Sequence, residues 1–227
     1  YRFISFKLLL FFSYCMPKDL EEKVLVVSRE KLFGKNNEHY FEGFCSIKEF
    51  DYTNIIKNNS FFAWRHIAKD SQKLSAEEDE SIQQIIPYVI VKHKNKLFFY
   101  KRSNTISEAR LRNQYTIGVG GHINPIDVSN GNDLIQEGMK RELEEEITID
   151  KSVSPKIVGF INVETTPVDR VHFGLLYLAE LPREEIEIVE KDKMSGEFFE
   201  FNKVSQEVLD SLDNWGKQCL DFVKKLF

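Results

Sequence analysis

The segment from Asp133 to Ile147 (DLIQEGMKRELEEEI) limits what this chain can fold into more than any other stretch. Ile135, Met139, Leu143 and Ile147 recur every four residues, which predicts a helix packed along one side on a core. Asp133, with Gln136 three residues on, is suited to cap its start. The far end breaks ordinary helix logic. Glu142, Glu144, Glu145 and Glu146 crowd the terminus where the helix macrodipole already disfavours negative charge. Glu142 also repels Glu145 and Glu146 across one turn. At about 100° per residue, Glu146 falls about 20° from Met139 around the helix axis and Glu142 about 60°. Both carboxylates therefore sit on or beside the stripe that must be buried, where an unpaired charge is costly. Arg141 alone does not neutralise Glu142, Glu145 and Glu146. Clustered oxygen donors on one helix face suit a hard divalent cation, Mg²⁺ or Mn²⁺. Glu144 points away from the stripe and reads as a solvated surface acid.

The chain has 227 residues, which at about 150 per domain implies one large domain or one domain with an appendage. With 42% hydrophobic residues it has material for a core, and 11 Gly plus 6 Pro are too few for a disordered or fibrous chain. A net charge of −5 argues against stable nucleic-acid binding while leaving room for a basic pocket that takes a small phosphorylated compound. Cys15, Cys45 and Cys219 form neither a disulfide framework nor a zinc cage, which points to a reducing, cytoplasmic setting. Leu8 to Tyr14 is an apolar run behind Arg2 and Lys7, too short to span a bilayer and lacking a small-x-small cleavage site. Met16 opens an ordinary soluble sequence, so residues 1–15 are expected to be a leader or upstream translation. No later segment resembles a membrane span.

Strands are expected at Lys23–Ser28, Ile85–Lys92, Lys96–Arg102, Tyr115–Val119, Lys156–Val163, Arg170–Glu180 and Glu197–Phe201. His93-Lys94-Asn95 reads as a hairpin turn. The polar segment Asp70 to Glu80 reads as a linker or surface loop. Val208, Leu209, Leu212, Trp215, Leu220, Val223 and Leu226 lie near helical spacing, predicting a helical segment over 205–227. Strands interrupted by two helices argue for an α+β or layered α/β fold. Phe61, Phe62, Trp64 and Trp215 are expected in the core.

The string Arg141-Glu142-Leu143-Glu144-Glu145-Glu146 behind Gly120-Gly121-His122 resembles the Nudix (MutT-like) signature, G-x5-E-x7-R-E-U-x-E-E-x-G-U, where U is a bulky apolar residue. The resemblance covers about residues 83–227, and the segments around 76–89 and 110–124 look like a bacterial Nudix subgroup of predicted phosphoesterases with an N-terminal extension. It implies an α/β/α sandwich, a mixed sheet between helices, over 83–227, with 16–82 as the extension. Three departures stand out. The loop from His122 to Asn132 is six residues longer than the motif, Asp133 replaces the first glutamate, and Thr148 replaces the glycine after the helix, a place where glycine usually relieves a left-handed turn.

The resemblance further implies a hydrolase that cleaves a diphosphate linkage, most often in nucleoside diphosphate derivatives, with Mg²⁺ or Mn²⁺ as cofactor. Glu142, Glu145, Glu146 and a backbone carbonyl at Gly120 or Gly121 would hold the metal, and Arg141 would orient the acids, with Asp133 as its partner. A helix glutamate, with Glu142 and Glu145 as the catalytic candidates, or an acid on a later loop, Glu164 or Asp169, would serve as general base. Arg102, Arg110, Arg112, Gly120 and His172 are candidates for substrate contact. The expected partner is a small nucleotide-like substrate, with no membrane and with a homodimer compatible. Two rivals share the fold: a non-catalytic nucleotide sensor, and an isopentenyl-diphosphate-type isomerase that normally needs a reactive cysteine.

Overall fold

In the computed structural model, the described residues are 22–66, 75–103, 114–128, 133–189, 191–192 and 194–227. Twelve strands and five α-helices are named among them. The strands are β1 (Lys23–Ser28), β2 (Gly43–Ser46), β3 (Phe61–Trp64), β4 (Ile82–His93), β5 (Lys96–Arg102), β6 (Tyr115–Thr116), β7 (Gly118–Val119), β8 (Ile147–Thr148), β9 (Lys156–Asn162), β10 (His172–Glu180), β11 (Glu187–Ile188) and β12 (Met194–Glu200). The helices are α1 (Arg29–Phe33), α2 (Thr53–Asn59), α3 (Leu134–Glu146), α4 (Gln206–Asp210) and α5 (Asn214–Lys224).

The main sheet runs β12-β5-β4-β10-β9-β2, and β4 with β10 is parallel while the other pairs are antiparallel. Alternation along the strands feeds two cores. Val89, Val91, Phe98, Tyr100, Phe173, Leu175 and Tyr177 join Leu32 and Phe33 of α1, Ile56 of α2, and Met139 and Leu143 of α3. Tyr88, Ile90, Leu97, Phe99 and Leu176 join Cys219 and Val223 of α5 on the opposite face. Successive strand side chains point to opposite faces, so this split makes an α/β/α sandwich.

The centre of the sheet is built to admit the glycine loop. On one side β4 pairs with β10 from Gln84 to Lys92. On the other, β1 takes Ile82–Gln84, β7 takes Val89–Ile90 and β5 takes Lys92–His93. Pro87, which has no N–H to give, falls between the β1 and β7 pairings. A Cβ on Gly120 would stand 1.8 Å from the Pro87 carbonyl oxygen. Here glycine is required by backbone approaching backbone. Gly120→Ala is expected to lower stability by about 1–3 kcal/mol, the usual range for overpacking where the neighbour cannot yield; urea denaturation checks it.

Strands 23–28 and 96–102 match expectation, and the Lys94-Asn95 turn places Lys94 at φ 50°. The expected 115–119 strand is divided at Ile117 into two short ones. The C-terminal segment departs more. It forms two helices, because Leu212 bridges to Tyr115, Asp213 N donates to the Tyr115 carbonyl at 2.9 Å, and the Asp213 side chain caps α5 at Gly216 N. Helix breaking here serves to dock the chain on β6.

Phe61 and Trp64 are not core residues: they are 47% and 43% exposed. β3 pairs with β1 alone among the named strands, and Trp64 instead packs under Lys23 Nζ at 4.6 Å. Phe62 and Trp215 do pack against buried clusters. The loop expected at 70–80 is partly outside the described residues. Its end is no free linker, since Ser75 and Ala76 are buried and Gln84 Nε2 donates to the Ala76 carbonyl at 3.1 Å.

Candidate active site

Helix α3 forms where the periodicity places it, and Asp133 is its N-cap, accepting from Ile135 N and Gln136 N at 3.0 and 3.3 Å. Met139, Leu143 and Ile147 are buried, and Glu146 is only 9% exposed. Glu142 is half-buried and Glu144 and Glu145 are exposed, in the order the helical angles require. After Glu146 the chain turns directly into β8 with Ile147 at φ −141°, so Thr148 meets no left-handed turn and glycine is not needed there.

Arg141 is the hub. Its Nε and Nη2 grip Asp127 as a fork, at 2.6 and 2.9 Å. Nη2 also donates to the His122 carbonyl at 2.8 Å and to Asn124 Oδ1 at 2.9 Å. Nη1 donates to Glu142 Oε1 at 2.8 Å and Glu145 Oε1 at 3.1 Å, bringing both carboxylates to one nitrogen. The hydrogen bonds to Asp127 hold the guanidinium firmly protonated. Asp133 is therefore not its partner. Eight residues separate Asp133 from Arg141, about 12 Å of helix, while the enlarged loop folds Asp127 back beneath the guanidinium. The loop is itself pinned: Asp127 accepts from Asn124 N at 2.8 Å, Asn124 Nδ2 donates to the Lys23 carbonyl at 2.8 Å, and Leu25 N to the Ile123 carbonyl at 2.8 Å.

Gly121 lies against the acids, since a Cβ there would stand 2.3 Å from Glu142 Oε2. Burial pushes the Glu142 carboxyl up, against the pull of Arg141. Glu164 is ion-paired with Arg29. Asp169 is buried and structural: its Oδ2 accepts from Thr166 N, Thr166 Oγ1 and Asn214 Nδ2 at 3.0, 2.6 and 2.9 Å. His172 opens β10 with Nδ1 2.7 Å from the Val168 carbonyl oxygen. Arg102 ends β5, where its backbone pairs with Met194. Arg110 and Arg112 lie outside the described residues.

Among the described residues, one group of three potential ligands has all its donor atoms within 4.8 Å of one another, and it is Glu77, His122 and His172 rather than the helix acids. Glu77 and His122 carried no sequence signal as metal ligands: they stand 45 residues apart, one in a polar loop and the other behind the two glycines of the signature entry. Burial drives the His122 imidazole well below its ordinary pKa, assisted by the charges of Arg65 and His172. Burial pushes the Glu77 carboxyl up, but the Arg65 hydrogen bond and the nearby His172 outweigh it and hold the carboxyl below the usual range.

No protein-family model matches the chain. It is 30% identical over 210 residues to Protein YmaB of Bacillus subtilis (strain 168), covering 90% of this chain and 98% of that one. It is also similar to the crystal structure of Tm1382, described as a candidate Nudix hydrolase, at 29% identity and a TM-score of 0.69, over 91% of this chain and all of that one. Together with the signature helix and its glycine entry inside an α/β/α sandwich, these similarities show that the chain belongs to the Nudix hydrolase family.

Proposed function

We propose that the chain is a divalent-metal-dependent hydrolase that cleaves a diphosphate linkage in a nucleoside diphosphate derivative or a similar phosphorylated small molecule. The observation that carries this reading is the convergence of Glu142 and Glu145 on Arg141 Nη1, beside Gly121 and the buried Glu146. This donor set is all oxygen and suits Mg²⁺ or Mn²⁺. Glu142, Glu145, Glu146 and the Gly121 carbonyl would hold the ion. Bound there, it would screen the diphosphate charge and lower the pKa of a coordinated water. Arg141 keeps two acids oriented without occupying all their oxygens. Glu145, with 56% of its side chain exposed, shares the helix end with the other acids and is better placed to act there than Glu164, which is ion-paired with Arg29. His172, at the start of β10, and Gly120, directly after β7, remain candidates for substrate contact.

Among the described residues the isomerase alternative loses support; Cys15 lies outside them. Cys45 and Cys219 are both buried in the cores, and burial raises the Cys219 thiol pKa well above its ordinary value. The deciding experiment incubates the full chain with a panel of diphosphate compounds and Mg²⁺ or Mn²⁺ and identifies products. At least one compound is expected to be split into two phosphorylated or phosphate products. Binding without cleavage across the panel would make the protein a sensor, and a rearranged product would make it an isomerase.

A further inference from the structure

We propose that Glu77, His122 and His172 form a second cation site, of mixed nitrogen and oxygen donors, for a borderline transition ion of the Zn²⁺ class. Two imidazoles and one carboxylate form a donor set that zinc accepts with a fourth position left open, whereas Mg²⁺ prefers oxygen alone. The site is thereby chemically distinct from the helix acids, although His122 follows Gly121 directly in the chain.

Three separate elements deliver the ligands. Glu77 is held in the turn before β4, with its N–H donating to the Arg65 carbonyl at 3.3 Å and the preceding residue tied to Gln84 and Trp64. His122 is held by its carbonyl, which accepts from Arg141, and by the adjoining Ile123 carbonyl, which accepts from Leu25 N. His172 stands opposite Gln84 in the β10–β4 register. A proton on His172 Nδ1 would be donated to the Val168 carbonyl at 2.7 Å, leaving Nε2 as the lone-pair nitrogen, the arrangement by which outer hydrogen bonds orient metal-binding histidines. The two rings lie 5.7 Å apart at 55°.

An independent observation points to a ligand. His122 Nε2 is sealed from solvent and has no hydrogen-bond partner. A buried polar atom left so costs about 1–3 kcal/mol, and folded proteins rarely tolerate it without compensation. An ion held by His122 through Nε2 would satisfy it. Tetrahedral zinc needs donors about 3.3 Å apart, from metal–ligand bonds of about 2.0–2.1 Å, so donors already within 4.8 Å of one another would draw in by about 1.5 Å at most. The local charge agrees. Arg65 is met by two carboxylates, Glu22 at 2.9 Å and Glu77 Oε1 at 2.8 Å, so this trio carries a net negative charge. The Arg65 bond to Glu77 is the kind of outer contact that ligating carboxylates carry.

The test uses the full chain stripped of metal and titrated with Co²⁺ in excess Mg²⁺, with visible absorption and calorimetry as readouts. One Co²⁺ per chain is expected, with the intense visible bands of a low-coordinate nitrogen-containing site, displaced by Zn²⁺ and accompanied by a rise in melting temperature. His172→Ala and Glu77→Gln, each checked by circular dichroism, are expected to weaken Co²⁺ by at least about a hundredfold, beyond the 10–100-fold typical of outer-contact changes. Glu145→Gln should leave the bands in place. The proposal is overturned if the native chain yields no bands, if both variants bind Co²⁺ like the native chain, or if the bands vanish in Glu145→Gln instead. It does not depend on hydrolysis, so an inactive but Co²⁺-binding chain would sink the proposed function alone.

Discussion

Replacing Arg141 with methionine is expected to cost about 3–5 kcal/mol of stability, the range for leaving one member of a buried ion pair without its partner. The stranded group is Asp127, whose side chain is 3% exposed and takes both prongs of the guanidinium fork. Methionine keeps much of the aliphatic packing, so the loss reports charge and hydrogen bonding rather than a cavity. Arg141→Lys should recover only part of it, because a single ammonium cannot reproduce a bidentate grip while also reaching His122 and Asn124. Pairing Arg141→Met with Asp127→Leu should regain stability relative to the single change. Denaturant midpoints across the three variants measure this, and a cost below about 1 kcal/mol for Arg141→Met would show that Asp127 does not depend on the pair.

Glu145→Gln and Glu146→Gln are each expected to lower turnover at least about a hundredfold, which corresponds to about 2.7 kcal/mol of transition-state stabilisation. Both substitutions are close to isosteric, and they remove charge from a helix end that the macrodipole already disfavours for acids. The fold should therefore survive, and melting temperature should hold or rise. This opposes the two readouts: a metal-binding acid loses activity without losing stability. Product release from whichever diphosphate the panel identifies, alongside thermal melting, measures both. Native turnover in both variants would remove these acids from the metal site.

Local pattern carried much of this molecule. Helix α3, its Asp133 cap and the burial order of Glu142, Glu144 and Glu146 follow from spacing, because those properties depend on residues within a few turns of one another. Partners brought in by irregular chain were not legible. Asp127 sits in a loop with no period to read, and only the folded path of residues 122–128 beside β1 puts it under Arg141. Glu77, His122 and His172 meet across three elements, and although His172 was a candidate for substrate contact, nothing local marks the three as a group. Phe61 and Trp64 misled for the opposite reason: aromatic character predicts burial on average, but β3 has β1 on one side and no named strand on the other. Leu212 fitted a continuous helical period, yet a docking contact to Tyr115 broke the helix there.

The parallel pairing of β4 with β10 has a consequence for how the protein comes into being. Lys92 and Glu180, 88 residues apart, are neighbours, and Asn162 reaches back 121 residues to Phe41. During synthesis the first strands leave the ribosome well before the partners that complete their sheet exist. They must wait unfinished, with apolar faces uncovered, until β9 and β10 arrive. Closing such wide loops slows the search for the native arrangement, and the waiting intermediates are the ones most prone to clump or to recruit chaperones.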